Sequence, residues 1–345
     1  MKKHIYIIAT ILCLCIFPTH ALAAQDIDSA INTTADFIEQ TVSSPSVSSI
    51  GGEWSVIAFA RCNTDEYDDF LNTYIESLKT VLDENDGILH HNRLTEYSRV
   101  ILAITALGED ASNFYGYDLV SEISDLSKVK LQGVNGCIYA LLAIDSGNYN
   151  IASDATATRS ALINEILASQ KSDGGFSLSD TSDVDITAAA LQALSKYDKI
   201  PEVSSSIDMA LNYLSSVQLS NGGFSGWGGP NSESTSQVII ALCELGIDID
   251  DPRFVKNGFS ALDCLLASQN QDGGFVHTSE DGVSNLMATE QALCALVSIE
   301  LNQSNNSSLY NMSDNTELSI CQSTPLTSKW VWESFNKFTD KLFNS

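Results

Sequence analysis

The stretch that decides the fold is residues 169–194, SQKSDGGFSLSDTSDVDITAAALQAL. The glycine pair Gly174-Gly175 interrupts it, because consecutive glycines stop a helix and supply the positive φ that reverses the chain. Two aspartates, Asp183 and Asp185, then stand at the start of an alanine-rich apolar run. The stretch predicts a helix, a tight turn and a second, more buried helix. It also raises the question of why two carboxyl groups lie at the start of a buried helix.

The same turn recurs along the chain. ILASQKSDGGF ends at Phe176, LSSVQLSNGGF at Phe224 and LLASQNQDGGF at Phe275. Weaker copies lie upstream in LKTVLDENDGIL followed by TEYSRVILAITAL, in QGVNGCIYALLAI and in GGEWSVIAFARC. Such internal repetition is typical of architectures in which each repeat is one supersecondary unit. It predicts six helix pairs, which start near residues 26, 67, 117, 156, 205 and 256.

The two helices of each pair differ in character. First helices such as RSALINEILASQ carry a one-sided apolar stripe, which is expected of an outer layer. Second helices such as ITAAALQAL and SQVIIALCEL are apolar nearly all round, which is expected of an inner layer. Neither end of the array shows a polar capping repeat, so a closed ring is favoured over an open solenoid. We predict an all-α fold for residues 24–314, an α6/α6 toroid with two concentric rings of six helices.

The two ends of the chain fall outside the repeats. Residues 1–23 have a basic start, an apolar run and the small-x-small site ALA, the pattern of a cleaved signal peptide. We therefore expect a protein that is secreted or associated with the cell surface. In the tail, residues 315–345, the segment Trp330–Phe343 predicts an amphipathic helix. This helix either packs on the toroid or makes a peripheral contact with a partner or a membrane surface.

The charge balance excludes some partners. The chain has 17 Lys and Arg against 44 Asp and Glu, a formal net charge of −27. Such a surface repels nucleic acid and anionic lipid. We expect no nucleic-acid partner, and we expect a monomer.

The cysteines fit the helix pattern better than a disulfide framework. ALCEL, LDCLL and ALCAL place them within apolar helix stretches, where a free thiol behaves as a small apolar group. Cys243 and Cys294 align at the same place on adjacent inner helices, so their side chains point in equivalent directions. A disulfide needs converging Cβ vectors, and we expect no bond between this pair.

The glycine turns, of the form Q-x-x-D/N-G-G-F, resemble those of the terpenoid cyclase and protein prenyltransferase superfamily. The segments GEWSVIAFAR, SESTSQVIIALCELGID and NLMATEQALCALV are closest to the exported prenyltransferase-repeat domains of Gram-positive surface proteins. That branch is also similar to the helical domain of the cobalamin carriers intrinsic factor and transcobalamin. The resemblance implies an α6/α6 toroid. It implies no single activity, since one fold hosts unrelated functions.

The acid at the start of the repeat-four inner helix has two interpretations. In class II cyclases of this superfamily that helix begins D-x-D-D-T, and the middle aspartate protonates an alkene. The resemblance implies Asp185 as the catalytic acid beside Asp183, but Ile186 replaces the third acid. Alternatively, Asp183 caps the helix and Asp185 complements its dipole. Because a helix N-terminus favours the ionised carboxylate, we predict that Asp185 is ionised and structural.

The sequence predicts neither a metal nor a cofactor. Protein prenyltransferases hold zinc through an Asp-x-Cys pair and a distant His, and the chain after residue 23 has no Asp-x-Cys. No G-x-S-x-G, P-loop or H-E-x-x-H motif occurs either.

A further set of residues stands at the starts of the inner helices, which converge on one rim of the central cavity in a toroid. Arg99 lies in an otherwise apolar helix, so we expect a carboxylate partner, Glu96 or Glu53. Aromatic rings beside carboxylates suit a ligand with apolar and polar parts. The candidate ligand-binding residues are Glu53, Trp54, Glu96, Tyr97, Arg99, Asn135, Trp227, Glu233 and Glu290.

Two functions stay open at this point. The favoured one is an exported, non-catalytic module that binds an unidentified small-molecule or surface ligand at this rim. The alternative is a divergent class II terpene cyclase of the squalene type with Asp185 as general acid. A lumen lined by paired charges favours binding, whereas an uncharged aromatic lumen favours the cyclase.

Overall fold

The computed structural model describes residues 19–62, 65–226, 228–305 and 308–312. Most of the expected signal peptide and all of residues 315–345, including Trp330–Phe343, lie outside this part of the chain. The α-helices of the described residues are α1 (Thr19–Thr41), α2 (Glu53–Arg61), α3 (Asp68–Glu84), α4 (Leu94–Ala106), α5 (Leu119–Glu122), α6 (Leu126–Val129), α7 (Gly133–Ser146), α8 (Arg159–Ala168), α9 (Val184–Leu194), α10 (Pro201–Val217), α11 (Ser232–Glu244), α12 (Ala261–Leu266) and α13 (Leu286–Asn305). Two short strands, β1 (Ser225–Gly226) and β2 (Gly229–Pro230), pair antiparallel. None of the described helices is long and apolar enough to cross a membrane.

The inner helices α2, α4, α7, α9, α11 and α13 form a closed ring. Each contacts the next, and α13 contacts α2, which joins the last repeat to the first. Buried faces on both sides explain their apolar sequences; along α11, for example, residues 238–243 are all buried. The predicted toroid of two concentric rings is confirmed.

The outer ring is less regular than the repeat pattern predicts. Repeat three has two four-residue helices, α5 and α6, in place of one outer helix. Asp118 and Asp125 each cap one of these helices, so the chain restarts a helix rather than continuing one. The intervening carbonyl of Ser124 accepts instead from the backbone N–H groups of Thr156 and Ala157. The expectation of twelve main helices is therefore wrong at this repeat.

A glutamine joins each well-formed turn to the following repeat. Nε2 of Gln170 donates to the carbonyl of Gly174 in its own turn and to the carbonyl of Ser206 on α10, each at 2.8 Å. Gln218 bonds Gly222 and Phe254 in the same way, each at 2.7 Å. One side-chain amide thus satisfies carbonyls from two repeats, and buried carbonyls are costly without a partner.

Gln269 makes the corresponding contact across the ring closure. Its Nε2 donates to the carbonyl of Gly273 and to the hydroxyl of Thr34 on α1, both at 3.0 Å. It also lies 3.4 Å from the carbonyl of Ala30. The last Gly-Gly turn is therefore joined to the first outer helix by the same kind of glutamine hydrogen bond that joins the internal repeats.

A threonine ties each turn to its own inner helix. The backbone N–H groups of Phe176, Phe224 and Phe275 donate to the hydroxyls of Thr187, Thr235 and Thr289, at 2.8 to 3.1 Å. The three phenylalanine rings are buried. The turn, the ring and the start of the inner helix therefore form one unit in each of these repeats.

The segment 308–312 crosses the carboxyl-terminal ends of the inner helices. The carbonyl of Ser308 accepts from Arg61 at 3.0 Å, and the N–H of Tyr310 donates to Glu244 at 3.0 Å. The N–H of Met312 donates to the carbonyl of Ser146 at 3.2 Å. Since Tyr310 is buried, this end of the lumen is covered by the chain itself.

We predict that Gly273→Ala destabilises the fold far more than Gly258→Ala. Both glycines have a φ near +87°, at +88° and +86°, so alanine is strained by about 1 to 2 kcal/mol at either. A Cβ at Gly258 meets nothing within 4 Å, whereas one at Gly273 overlaps the carbonyl oxygen of Thr33 on α1. We expect Gly273→Ala to lower the free energy of unfolding by more than about 3 kcal/mol, measured by urea titration. Equal losses in the two variants would contradict the close approach at the ring closure.

Candidate functional site

Three inner helices bring carboxyl groups together around one arginine. Glu53 begins α2, Glu96 and Arg99 lie in the first turns of α4, and Glu290 lies in the second turn of α13. We call these four residues the Arg99 cluster. The ring closure between α13 and α2 is what makes Glu290 a neighbour of Glu53, although they are far apart in sequence.

Arg99 pairs with Glu96, one of the two partners expected from the sequence. Its Nη2 lies 2.8 Å from Oε2 of Glu96, and the more exposed Arg93 lies 3.5 Å from the other oxygen. Burial acts to raise the pKa of Glu96, but the Ser48 hydroxyl and the Arg99 guanidinium outweigh it, so the pKa is lowered. The Nε of Arg99 is buried and has no hydrogen-bond partner among the described residues.

Glu53 is the most enclosed member of the cluster, with 1% of its surface exposed. Its Oε1 accepts from the backbone N–H of Ser48 at 2.7 Å and from the hydroxyl of Tyr74 at 3.1 Å. Its Oε2 is buried and has no hydrogen-bond partner among the described residues. Burial raises the pKa of Glu53, because the charged form loses its hydration.

Glu290 is also a buried carboxyl group. Its Oε2 accepts from the backbone N–H of Gly51 at 2.7 Å and from the Ser55 hydroxyl at 3.3 Å. Burial raises the pKa of Glu290 to about 7, and the nearby Glu53 carboxylate acts in the same direction. Three carboxyl groups thus surround one half-buried guanidinium, so the cluster holds more carboxyl groups than cations.

Two aromatic rings lie beside this cluster. Trp54 on α2 and Tyr139 on α7 are tilted against one another, with ring centroids 6.0 Å apart. Tyr139 lies on α7, the inner helix between α4 of the Arg99 cluster and α9 of repeat four. Burial raises the pKa of Tyr139 to about 12.

A glutamine chain across α9, α11 and α13 was missed by the sequence reasoning. Nε2 of Gln192 donates to Oε1 of Gln237 at 3.0 Å, and Nε2 of Gln237 donates to Oε1 of Gln291 at 2.6 Å. An amide in an apolar inner helix, as in ALQAL, was the available signal. The chain supplies a polar stripe to a lumen that the helix patterns predict as apolar.

Asp183 and Asp185 have different surroundings. The side chain of Asp183 accepts from the backbone N–H of Ile186 at 2.9 Å, so Asp183 caps α9. Burial raises the pKa of Asp185 to about 6, with the Asp183 and Glu233 carboxylates acting in the same direction. The helix N-terminus favours the ionised carboxylate, but burial and like charge act in the opposite direction and outweigh the dipole. Oδ1 of Asp185 is buried with no hydrogen-bond partner among the described residues.

The remaining candidates are dispersed. Glu233 lies 2.8 Å from Nδ1 of His277 rather than in the Arg99 cluster. The hydroxyl of buried Tyr97 accepts from the backbone N–H of Leu89 at 3.0 Å, within the loop before α4. Asn135 is half-buried in the first turn of α7. Trp227 lies outside the described residues.

Metal chemistry has no evident ligand set in the part of the chain that the structure describes. No three His, Cys, Asp or Glu side chains there come together in a way that would hold a metal ion. Cys62, Cys137, Cys243, Cys264 and Cys294 are free thiols.

Cavities of 240 to 640 Å³ open among the described residues. None of these is lined by Asp185, Tyr139 or Trp54. One of them, of 570 Å³, lies between repeats five and six.

An inner ring of helices within an outer ring defines the chain as an α/α toroid. A family model described as the squalene–hopene cyclase C-terminal domain matches residues 126–304, just over half of the chain. The chain belongs to this family. No curated protein sequence matches it.

Solved structures share the fold at low sequence identity. The type II terpene cyclase MstE from Scytonema is 14% identical, with a TM-score of 0.58 over 82% of this chain and 99% of that one. An unsaturated glucuronyl hydrolase from Streptococcus agalactiae is 11% identical, with a TM-score of 0.57 over 80% and 91%. A second such hydrolase, from Bacillus sp. GL1, is 13% identical, with a TM-score of 0.54 over 80% and 96%. At these identities the likeness concerns the fold alone.

We predict that replacing Glu290 or Glu96 of the Arg99 cluster by the neutral glutamine changes the free energy of unfolding in opposite directions. Because the folded-state pKa of Glu290, about 7, exceeds its ordinary value of 4.5, its contribution to stability is lost as pH rises through that window. Glu290→Gln should therefore be more stable than the parent at pH 8, by about 1 to 3 kcal/mol, and unchanged near pH 4. Glu96→Gln should be less stable at pH 8, since the pKa of Glu96 is lowered. Urea unfolding at both pH values measures this, and a Glu290→Gln variant that is less stable at pH 8 would contradict the burial argument.

Proposed function

We propose that this protein is an exported ligand-binding toroid whose ligand sits over the Arg99 cluster at the open mouth of the lumen. The observation that carries the proposal is Oε2 of Glu53, a carboxylate oxygen in a residue 1% exposed that has no hydrogen-bond partner among the described residues. A buried acceptor without a partner costs about 1 to 3 kcal/mol, more when charged. A ligand donor at this oxygen would remove that cost.

The charge of the cluster supports a cationic ligand. The raised pKa values of Glu53 and Glu290 record that each carboxylate lacks sufficient hydration or neighbouring positive charge. Arg99 is already engaged with Glu96 at 2.8 Å. A second cation would stabilise the ionised forms of Glu53 and Glu290, and an anionic ligand would meet repulsion from all three acids.

The rings beside the cluster support an organic cation rather than an inorganic one. A cation over a Trp or Tyr face is attracted by about 0.5 to 2 kcal/mol, more as water is excluded. Trp54 is half-buried, packs against Tyr139 and follows Glu53 directly in α2, so its ring lies beside the cluster. A small amine or quaternary ammonium with an apolar substituent fits both features. The apolar leader and acidic composition support export, as the sequence predicts.

The test titrates the mature chain, recovered from culture medium, with benzyltrimethylammonium and, separately, with benzoate. We expect saturable binding of the cation and none of the anion, by calorimetry. Glu53→Gln should weaken binding at least tenfold, because it removes the unpartnered anionic oxygen. Glu202→Gln, an exposed acid in the first turn of α10, should change the affinity less than twofold. Equal binding of the two probes, or no effect of Glu53→Gln, would refute the proposal.

One observation favours a second function, that of a class II terpene cyclase. Asp185 occupies the place of the proton donor in the D-x-D-D-T pattern, its Oδ1 lacks a partner among the described residues, and its pKa is raised to about 6. A carboxylic acid of this kind transfers its proton to an alkene carbon; the π electrons form the new C–H bond and leave a carbocation for ring closure. The cyclase ranks below binding because the lumen carries the charged pair of Arg99 and Glu96.

The cyclase is tested by incubation with squalene and with geranylgeranyl substrates, followed by mass spectrometry of the extracted lipids. We expect no cyclic product from the parent protein. A cyclic product that disappears in folded Asp185→Asn, but persists in Glu53→Gln, would promote the second function over the first.

A further inference from the structure

A groove of 570 Å³ lies on the rim between repeats five and six. The turn of repeat five forms one wall, the segment around α12 forms the second, and the loop before α13 closes the end. A volume of this size is typical of small-molecule sites, which run from about 300 to 1,000 Å³. We call it the repeat 5/6 groove. It shares no residue with the Arg99 cluster.

The charge of the groove excludes two classes of ligand. No Lys or Arg is among its described lining residues, and the chain as a whole carries a net charge of −27. A phosphate, sulfate or carboxylate would find no counter-charge there. Asp263 is the one carboxylate of the described lining, and its Oδ2 already accepts from the backbone N–H and hydroxyl of Ser260 at 2.8 and 2.9 Å. One half-engaged carboxylate does not make a cation site.

The polar atoms left over in the groove include both donors and acceptors. Asn221 uses its Oδ1 to accept from the N–H of Gly223, which leaves the two N–H groups of Nδ2 for a ligand. Asn270 uses its Nδ2 to donate to Ser284, which leaves its Oδ1 as an acceptor.

His277 adds an oriented ring nitrogen to the groove. The contacts of Nδ1 to both oxygens of Glu233, at 2.8 and 2.9 Å, hold the imidazole and leave Nε2 for a ligand. A hydroxyl group both donates and accepts, so a mixed set of this kind fits a ligand rich in hydroxyls.

An exposed aromatic ring stands at the same groove. Phe259, in the turn that leads to α12, is 52% exposed, although large apolar side chains cost free energy when left in water. A ring face of this kind packs against the C–H face of a sugar, while the sugar hydroxyls stay free for the amides.

We infer that the repeat 5/6 groove binds a neutral carbohydrate, with one sugar stacked on Phe259 and its hydroxyls bonded by Asn221, Asn270 and His277. The inference does not rest on the proposed function of the lumen mouth. The ligands differ in charge, and the residues of the two sites do not overlap.

The experiment measures binding of maltotriose, cellotriose and chitotriose to the purified protein by calorimetry and saturation-transfer NMR. Trigalacturonate serves as the anionic comparison. We expect at least one neutral trisaccharide to bind with a Kd below 1 mM, on the order expected for a small polar site, and trigalacturonate to bind at least tenfold more weakly. Phe259→Ala should weaken binding at least fivefold, and Phe259→Tyr, which keeps the ring, should retain it.

Matched controls separate this site from the rest of the molecule. Tyr115→Ala removes an aromatic ring that is 57% exposed in repeat three and should leave sugar binding unchanged. Glu53→Gln should also leave it unchanged, so a failure here is distinct from a failure at the lumen mouth. Absence of binding by all three neutral sugars, tighter binding of trigalacturonate, or an unaltered Kd in Phe259→Ala would overturn the inference.

Discussion

The ring depends on a glutamine that serves two repeats at once. In repeats four, five and six, the side-chain amide of Gln170, Gln218 or Gln269 donates both to a carbonyl of its own Gly-Gly turn and to a backbone or hydroxyl oxygen of the following repeat. The glycines let the two backbones approach closely enough for this bond, because a side chain at Gly174 or Gly273 would overlap a carbonyl of the neighbouring helix. The contact fixes how each of these three repeats packs against the one that follows. In repeat six the repeat that follows is the first, so the same contact closes the ring.

Closure of the ring explains the electrostatics of the lumen. Helix starts favour acid, since a capping carboxylate and the dipole contribute about 0.3 to 2 kcal/mol each. Inner-helix starts that meet at one rim bring some of these acids together and remove water from several of them. Burial can shift a carboxyl pKa by up to about 3 to 5 units, which exceeds the dipole effect. Asp183 therefore behaves as a cap, whereas Asp185 and Glu290 have pKa values of about 6 and about 7.

The fold leaves the chemistry of the rim undetermined. Structures described as a type II terpene cyclase and as unsaturated glucuronyl hydrolases share it at 11 to 14% identity. A double ring of helices supplies a stable frame, and the loops between helices can vary without disturbing the inner contacts. In this chain the starts of the inner helices form an acidic, aromatic rim around Arg99, whereas the turns and loops of repeats five and six form a groove beside Phe259 whose described lining has one carboxylate, Asp263.

The sequence by itself determined the helix pairs, the inner and outer layers and the cap at Asp183, because these follow from local periodicity, glycine turns and capping chemistry. It also predicted that Arg99 has a carboxylate partner, Glu96 or Glu53, and the structure pairs it with Glu96, one turn away on the same helix. The broken outer helix of repeat three, the union of Glu53 with Glu290 and the burial of Asp185 were decided by the tertiary structure alone. Each depends on a contact between residues distant in the chain, and on how much water that contact removes. The spacing of apolar residues indicates which side of a helix faces inward. It carries no information about how closely the first and last repeats of the ring approach one another.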